Sequence, residues 1–513
     1  MFVRPLAIAL LLVSAASTRA QQPDPAQAPT LKLSTRIVVL DVVVVDSKKR
    51  IVTTGLTRDD FQIVEDRTSQ TVRSFEVPGA HAMPPGVVVS SAADLNRIER
   101  APVTVLVLDE LNTRFEAMAF ARQAMVNYLA SQPALLPQPT SLLLASNTRF
   151  LQLHDYTQNR DQLIDLVKHH LPEYPSKMMA GRGGPAAVER MAQSLASLEQ
   201  IAQSSMGTAG RKNVIWVGAG FPSADLVGLD PKTAATIETA VHNCTGILLA
   251  ARVTLYTIDP TANSTETVDV ETPDDLTMAQ TDNGGELYVG SIEFSALAPA
   301  TGGRAFRSRN DVGVEIGEAI DRGNNFYTLS YSPSNHSDNA QKYRHIAIFM
   351  RDKSLHATTR NGYFPESLDR PNVSLSEPPR QAKAQFQMEI SSAVNSSISY
   401  NGLTVKAIRV GENYVIRVQS KGLTWASLDS RPESARVKTE VSVIAAWYTD
   451  KNKLMGHIGK ELTASRVAVA DASQPIPDTT FLVPVPQTGN AARLRFVVRD
   501  AVNGSIGTVD LKP

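Results

Sequence analysis

The sequence predicts a multidomain α/β plus all-β protein: a doubly wound, mostly parallel sheet inserted in a flanking β-sandwich, then a C-terminal β-sandwich. Three observations predict it. Between residues 101 and 323, continuous apolar strands alternate with longer helical segments, the order of a parallel sheet covered on both faces. On either side, at 35–100 and 324–365, stand short β-branched runs, too few on each side to bury a core alone. Beyond a proline-marked linker at 366–384, residues 385–513 hold short alternating segments suited to an antiparallel sandwich.

The chain begins with a charged n-region ending at Arg4, an apolar run from Leu6 to Ala16, and Thr18-Arg19-Ala20 ahead of an expected cut before Gln21. That run is shorter than the about 20 residues of a membrane-spanning helix, so residues 1–20 are expected to be a signal peptide. No later apolar stretch reaches spanning length, and no membrane insertion is expected after cleavage. Residues 21–34 read as a flexible leader.

The run at 35–45 is too rich in valine and isoleucine for a helix and reads as a strand. Thr57 is placed to cap one helical turn through Asp60. Residues 61–65 and 70–75 alternate apolar and polar and read as a hairpin. In the α/β part, strands are expected at 103–108, 141–145, 150–153, 213–217 and 253–258. Helices are expected at about 115–130, 159–171, 186–204, 233–250 and 312–322. Strands at 326–331, 344–350 and 356–360 supply partners for the N-terminal β unit, and 414–418, 439–444 and 493–498 belong to the last sandwich.

Composition excludes several functions. Lys plus Arg equals Asp plus Glu at 51 each, which leaves no electrostatic case for nucleic acid. A single cysteine, Cys244, rules out an internal disulfide, and its apolar surroundings predict a buried, inert thiol. The histidines show neither HExxH nor zinc-finger spacing, and a GxSxG elbow and a Walker A loop are both missing. Lys168, His169 and His170 end a helix, where cations meet the negative end of its dipole. Gly181-Arg182-Gly183-Gly184 lacks the lysine of a phosphate loop and reads as a connection.

From 35 to 364 the chain resembles the bacterial acidobacterial von Willebrand factor A-related domain proteins. The resemblance rests on Gly55-Leu56, Asp60-Phe61, Glu65-Asp66, Gln70 to Phe75, Leu108-Asp109 with Asn112-Thr113, and Gly210 to Asn213 before Trp216. Gly220-Phe221-Pro222, Tyr256 to Pro260, Thr301 to Gly303, Tyr327 to Pro333 and Arg360 to Phe364 complete it. It implies a type A-like core and export, hence a secreted or periplasmic bacterial protein, and no agreed reaction.

Metal-binding type A domains carry a DxSxS loop after the first strand, whose Asp and hydroxyls hold a divalent cation with a Thr and an Asp from other loops. Here the loop is Asp109-Glu110-Leu111-Asn112-Thr113, so Asp109 and Thr113 match while Leu111 replaces a hydroxyl. Pro185 and Gly218-Ala219-Gly220 stand where the other ligands would be expected. Hard cations need several oxygens at fixed positions, so no cofactor is expected; Mg²⁺ on Asp109 and Thr113 is the open alternative. Asp109, Asn112 and Thr113 otherwise read as caps of the helix that begins near Phe115.

The expected function is binding of a protein or surface polymer, without catalysis. The expected contact rim is Asp109, Glu110, Asn112, Thr113, Arg114, Gly218, Gly220 and Phe221, with Phe221 as an apolar anchor or else core. The competing expectations are a hydrolase using an Asp–His or Ser–His pair assembled across loops, in which Asp155 near His154, or Asp259 and Asp282, take part, and a structural subunit of an envelope assembly.

Overall fold

A computed structural model describes residues 37–512 except 147–148, 171–184, 222–223, 226–229, 262–290, 307–310, 335–342, 366–379, 412, 428–435, 468–475 and 487–489. The chain starts with β1 (Val38–Val45), β2 (Phe61–Glu65), β3 (Thr68–Gln70) and β4 (Val72–Glu76). Alternation follows: β5 (Val103–Asp109), α1 (Phe115–Ser131), β6 (Leu135–Ala145), β7 (Phe150–Asn159), α2 (Arg160–His169), α3 (Pro185–Ser204) and β8 (Lys212–Val217). It continues through β9 (Ala224–Asp225), α4 (Pro231–Ala250), β10 (Val253–Ile258), β11 (Ser291–Ile292), α5 (Leu297–Ala300), β12 (Ala305–Phe306) and α6 (Val312–Asn324). Next come β13 (Tyr327–Tyr331), β14 (Arg344–Met350), β15 (His356–Thr358), β16 (Gly362–Tyr363) and α7 (Arg380–Asn395). The last part holds β17 (Val405–Val410), β18 (Asn413–Val418), β19 (Ala426–Ser427), β20 (Arg436–Tyr448), β21 (Leu454–Val467), β22 (Thr479–Pro484), β23 (Arg493–Asp500) and β24 (Ile506–Leu511).

The protein is a mixed α/β molecule with a mostly parallel six-stranded sheet and several antiparallel sheets. In the six-stranded sheet the order is β12-β10-β8-β5-β6-β7, parallel throughout except for β7 on β6. Its central strands β5, β8 and β10 are buried at every position, as expected of a sheet with two covered faces. Leu106 and Leu108 pack with α1, α2 and α6 on one face, through Met118, Met125, Leu163 and Ile316. Val105 and Val107 pack on the other face with Leu195 of α3 and Val241 and Leu248 of α4. Cys244 is buried there, and its burial raises the thiol pKa.

Strands from before and after this sheet pair with each other. One four-stranded sheet has the order β15-β1-β13-β4 and another β16-β14-β2-β3, so each interleaves N-terminal with later strands. Val38 pairs with Tyr331, and Ile63 with Ile348. Between the sheets lie Val42, Phe61, Ile63, Tyr327, Leu329 and Ile346. The segment 70–75 departs from the expected hairpin. Only β3 returns on β2, across a turn with Asp66 at φ +45° and Arg67 at +67°. The chain then leaves for the other sheet, where β4 pairs with β13, because Phe75 packs on Phe61 and Tyr327.

The C-terminal part has a three-stranded sheet, β17-β18-β22, facing β19-β20-β23-β24 with β21 beside β20. Tyr414, Ile416, Val443, Phe481, Phe496 and Val498 form their shared core. α7 begins inside the expected linker at Arg380 and is anchored by Ala393 and Val394, which pack with Tyr400 and Ile444. The segment after it is tied to the parallel sheet: Asn401 N donates to Ser204 O at 2.8 Å, and Gln152 N to Ser397 Oγ at 2.8 Å.

Candidate functional site

Taken in chain order, the parallel sheet runs third-second-first-fourth-fifth-sixth, so its order reverses between β5 and β8. Open sheets of this kind bind ligands at that reversal, outside the carboxyl ends of the strands. β5 ends there in Asp109, and β8 runs into Gly218-Ala219-Gly220-Phe221. The structure therefore brings both halves of the expected rim together.

Asp109 is fully buried and surrounded by donors. Its Oδ2 accepts from Trp216 Nε1 at 2.9 Å and from Gly220 N at 3.0 Å. Its Oδ1 accepts from Asn112 N at 3.0 Å, and Asn112 Nδ2 reaches both oxygens at 3.1 Å. Burial raises the carboxyl pKa above its usual value, and the bonds from Trp216, Asn112 and Gly220 offset only part of that rise. Thr113 Oγ1 accepts from Ala219 N at 3.0 Å, and Asn112 Nδ2 also donates to Ser194 Oγ of α3 at 3.1 Å. Gly218, at φ +151°, fits because a Cβ there would lie 2.4 Å from Asp109 Cβ and 2.5 Å from Thr113 Oγ1. These side chains bolt the β5 loop to the β8 loop.

This corrects the capping reading. The N-cap of α1 is Arg114, which makes no side-chain cap bond, while Asp109 and Thr113 accept, and Asn112 donates, within the loops and to α3. The same contacts bear on the fit of a metal at this place. A cation on Asp109 would face N–H groups directed at both carboxylate oxygens, and Leu111, 1% exposed, offers no oxygen from its side chain. The residues present do not fit Mg²⁺. Among the described residues, no group of three or more His, Cys, Asp or Glu is placed to hold a metal.

Two more rim assignments change. Glu110 is buried, with Oε1 3.1 Å from His170 Nε2, so it is an internal partner of α2. Arg122 caps that helix end by donating from Nη2 to Val167 O at 2.6 Å and His170 O at 2.5 Å. Phe221 is 3% exposed and meets Phe294 edge-on at 5.1 Å, while Phe294 tilts against Trp216 at 5.0 Å. Gly220, at φ +68°, lets that ring in, since a Cβ would come within 2.3 Å of it. Phe221 is core, which removes it as an exposed anchor. Of the predicted rim, Arg114 stays exposed and Asn112 half-buried, and Phe115 beside them is 44% exposed. Pro222, Asp282 and Gly181 to Gly184 lie outside the described residues.

Of the residues named for a hydrolase, His154 and Asp155 are both described. His154 Nδ1 contacts the backbone oxygen of Asp155 at 2.6 Å, while the Asp155 carboxylate accepts from Ala92 N and Tyr156 N. A grouping the sequence did not flag joins His81 Nε2 to Thr328 Oγ1 at 3.1 Å. Thr328 donates its own proton to Asp41 Oδ1 at 3.0 Å, so His81 Nε2 carries a proton here and cannot act as base toward that hydroxyl. Both residues are buried, and burial lowers the His81 pKa.

No family model matches the chain, and no curated protein does. Among solved structures, an aerotolerance-related membrane protein from Bacteroides fragilis is similar at 7% identity and a TM-score of 0.25, covering 43% of this chain and 98% of its own. The chicken interferon gamma receptor alpha chain is similar at 11% identity and a TM-score of 0.16, covering 36% and 71%. Likeness at that level carries nothing about function. Among the described residues, no helix is long and apolar enough to cross a membrane.

Proposed function

We propose that this is an exported bacterial protein whose parallel-sheet domain is von Willebrand factor type A-like and binds a protein partner at its rim, without catalysis. The observation that supports this best is the state of Asp109: a carboxylate at the sheet reversal, sealed and saturated by N–H donors, serves architecture rather than chemistry. What this architecture presents outward is Arg114 with Phe115, an arginine and an aromatic ring, residue types enriched at protein interfaces. The β-sandwiches on this reading are spacers. Capture from the native cell envelope with the mature chain should retain a partner that Arg114→Glu and Phe115→Ser each weaken at least tenfold. Unchanged affinity in both folded variants would eliminate this rim, and turnover of a substrate by the purified protein would eliminate the non-catalytic reading.

A further inference from the structure

At the amino-terminal end of the parallel sheet, opposite the rim, cationic side chains crowd around one carboxylate. Asp41 projects from β1, and its Oδ1 accepts from Arg252 Nη2 at 2.6 Å and from Thr328 Oγ1 at 3.0 Å. Arg211 lies near enough to lower the Asp41 pKa, as Arg252 does, and Lys212 and Arg360 are also within electrostatic reach of it. Among the described residues, three guanidiniums and one amine thus lie within electrostatic reach of this carboxylate. Among the described residues, Arg211 and Arg360 form no ion pair.

A cavity of about 30 Å³ opens in this cluster, lined by Asp41, Arg252, Thr254, Thr301, Thr359 and Arg360 among others. Two lining groups, Arg252 Nε and Arg360 Nε, are buried without an acceptor, and beside them Arg211 leaves both Nε and Nη1 unpaired while only 1% exposed. Arg252 also holds a left-handed backbone, φ +55°, one residue past the C-cap of α4, a position that favours glycine. An arginine kept in that conformation has work for its side chain. The unpaired groups are donors only, and their charge outnumbers that of Asp41. Water would satisfy donors but not the excess charge.

We propose that this cavity binds a halide-sized monovalent inorganic anion, such as chloride, between Arg252 and Arg360, joining the flanking sandwich to the parallel sheet. Its volume exceeds the roughly 10–15 Å³ that one water needs and leaves no room for sulfate or phosphate. Binding to the folded state alone raises the melting temperature with anion concentration.

The test is melting of the full mature chain in sodium chloride against sodium gluconate at equal ionic strength, so that screening is the same in both. The expected result is a rise of roughly 1–3 °C in chloride over gluconate. It should vanish in Arg360→Met and persist in part in Arg360→Lys, which keeps the charge. Broadening of the chloride nuclear resonance by wild type, lost in Arg360→Met, locates the ion independently of stability. Equal melting in both salts overturns the proposal. So does a chloride effect of the same size in Arg360→Met, or sulfate acting as well as chloride.

Discussion

Removing the Glu65 carboxylate should loosen both ends of the flanking sandwich at once. Glu65 is fully buried on β2, and its Oε1 accepts from Arg344 Nη1 of β14 at 2.9 Å. Oε2 accepts from Tyr331 of β13 at 2.5 Å and from Tyr363 of β16 at 3.2 Å. One N-terminal side chain thus holds three strands that lie beyond the parallel sheet in the chain. Burial and the neighbouring carboxylate both push the Tyr331 phenol pKa up, so it stays a donor at any working pH. In Glu65→Leu, Arg344, whose side chain is 6% exposed, loses one half of a buried ion pair, a change that costs about 3–5 kcal/mol. Removing both partners in Glu65→Leu/Arg344→Met should cost less than Glu65→Leu alone, with a coupling of roughly 2 kcal/mol or more. Hydrogen exchange is the assay, because a chain of several sheets need not unfold in one step. The amides of 61–65 and 344–350 should lose protection together by the same factor. Loss confined to one of these segments, or strict additivity of the two substitutions, would refute the interlock.

Three further outcomes follow from particular residues. Burial, with Arg252 adding to it, lowers the pKa of Lys212 from 10.5 to about 7, so between those values the folded state holds fewer protons than the unfolded one. Stability should therefore climb as pH rises from about 7 toward 10.5, by at most roughly 5 kcal/mol, and Lys212→Met should flatten that climb and be the more stable protein near pH 7; an unchanged slope in chloride-free denaturation curves speaks against it. Gly218→Ala forces a left-handed backbone and a Cβ 2.4 Å from Asp109 Cβ, and should cost about 2–4 kcal/mol in urea denaturation, where a neutral result would mean the two loops are not bolted as described. Calorimetric titration with Mg²⁺ or Mn²⁺ should show no site at Asp109, and a micromolar site abolished by Asp109→Ala would reverse that conclusion.

The limits of sequence reading show at specific residues. Glu110 sits in a loop among polar neighbours, and nothing in its spacing signals His170, 60 positions later, as its partner. Phe221 follows a Gly-Ala-Gly turn that suits an exposed anchor equally well, and only the place of Phe294, which arrives after a long connection, makes it core. The departure of β4 from the hairpin is similar. The alternation in 70–75 is right for a strand, but which sheet the strand joins is decided by Tyr327, more than 250 residues away.

By itself, the sequence determined what local chemistry determines: the β-branched run of β1, the buried strands β5, β8 and β10, the helices between them and the Thr57–Asp60 turn. It also determined that an early and a late set of strands must find partners, since a few strands cannot bury a core. Tertiary structure alone decided which polar groups would end up sealed. Asp109 carries the same side chain whether it holds a cation or a bundle of N–H donors. The outcome depends on Trp216 from β8 and on Gly220 and Asn112 from the two loops arriving with donors rather than oxygens directed at it. The same holds for Arg211, Arg252 and Arg360: scattered in the chain, they become an excess of buried charge only when β1 docks against the floor of the parallel sheet.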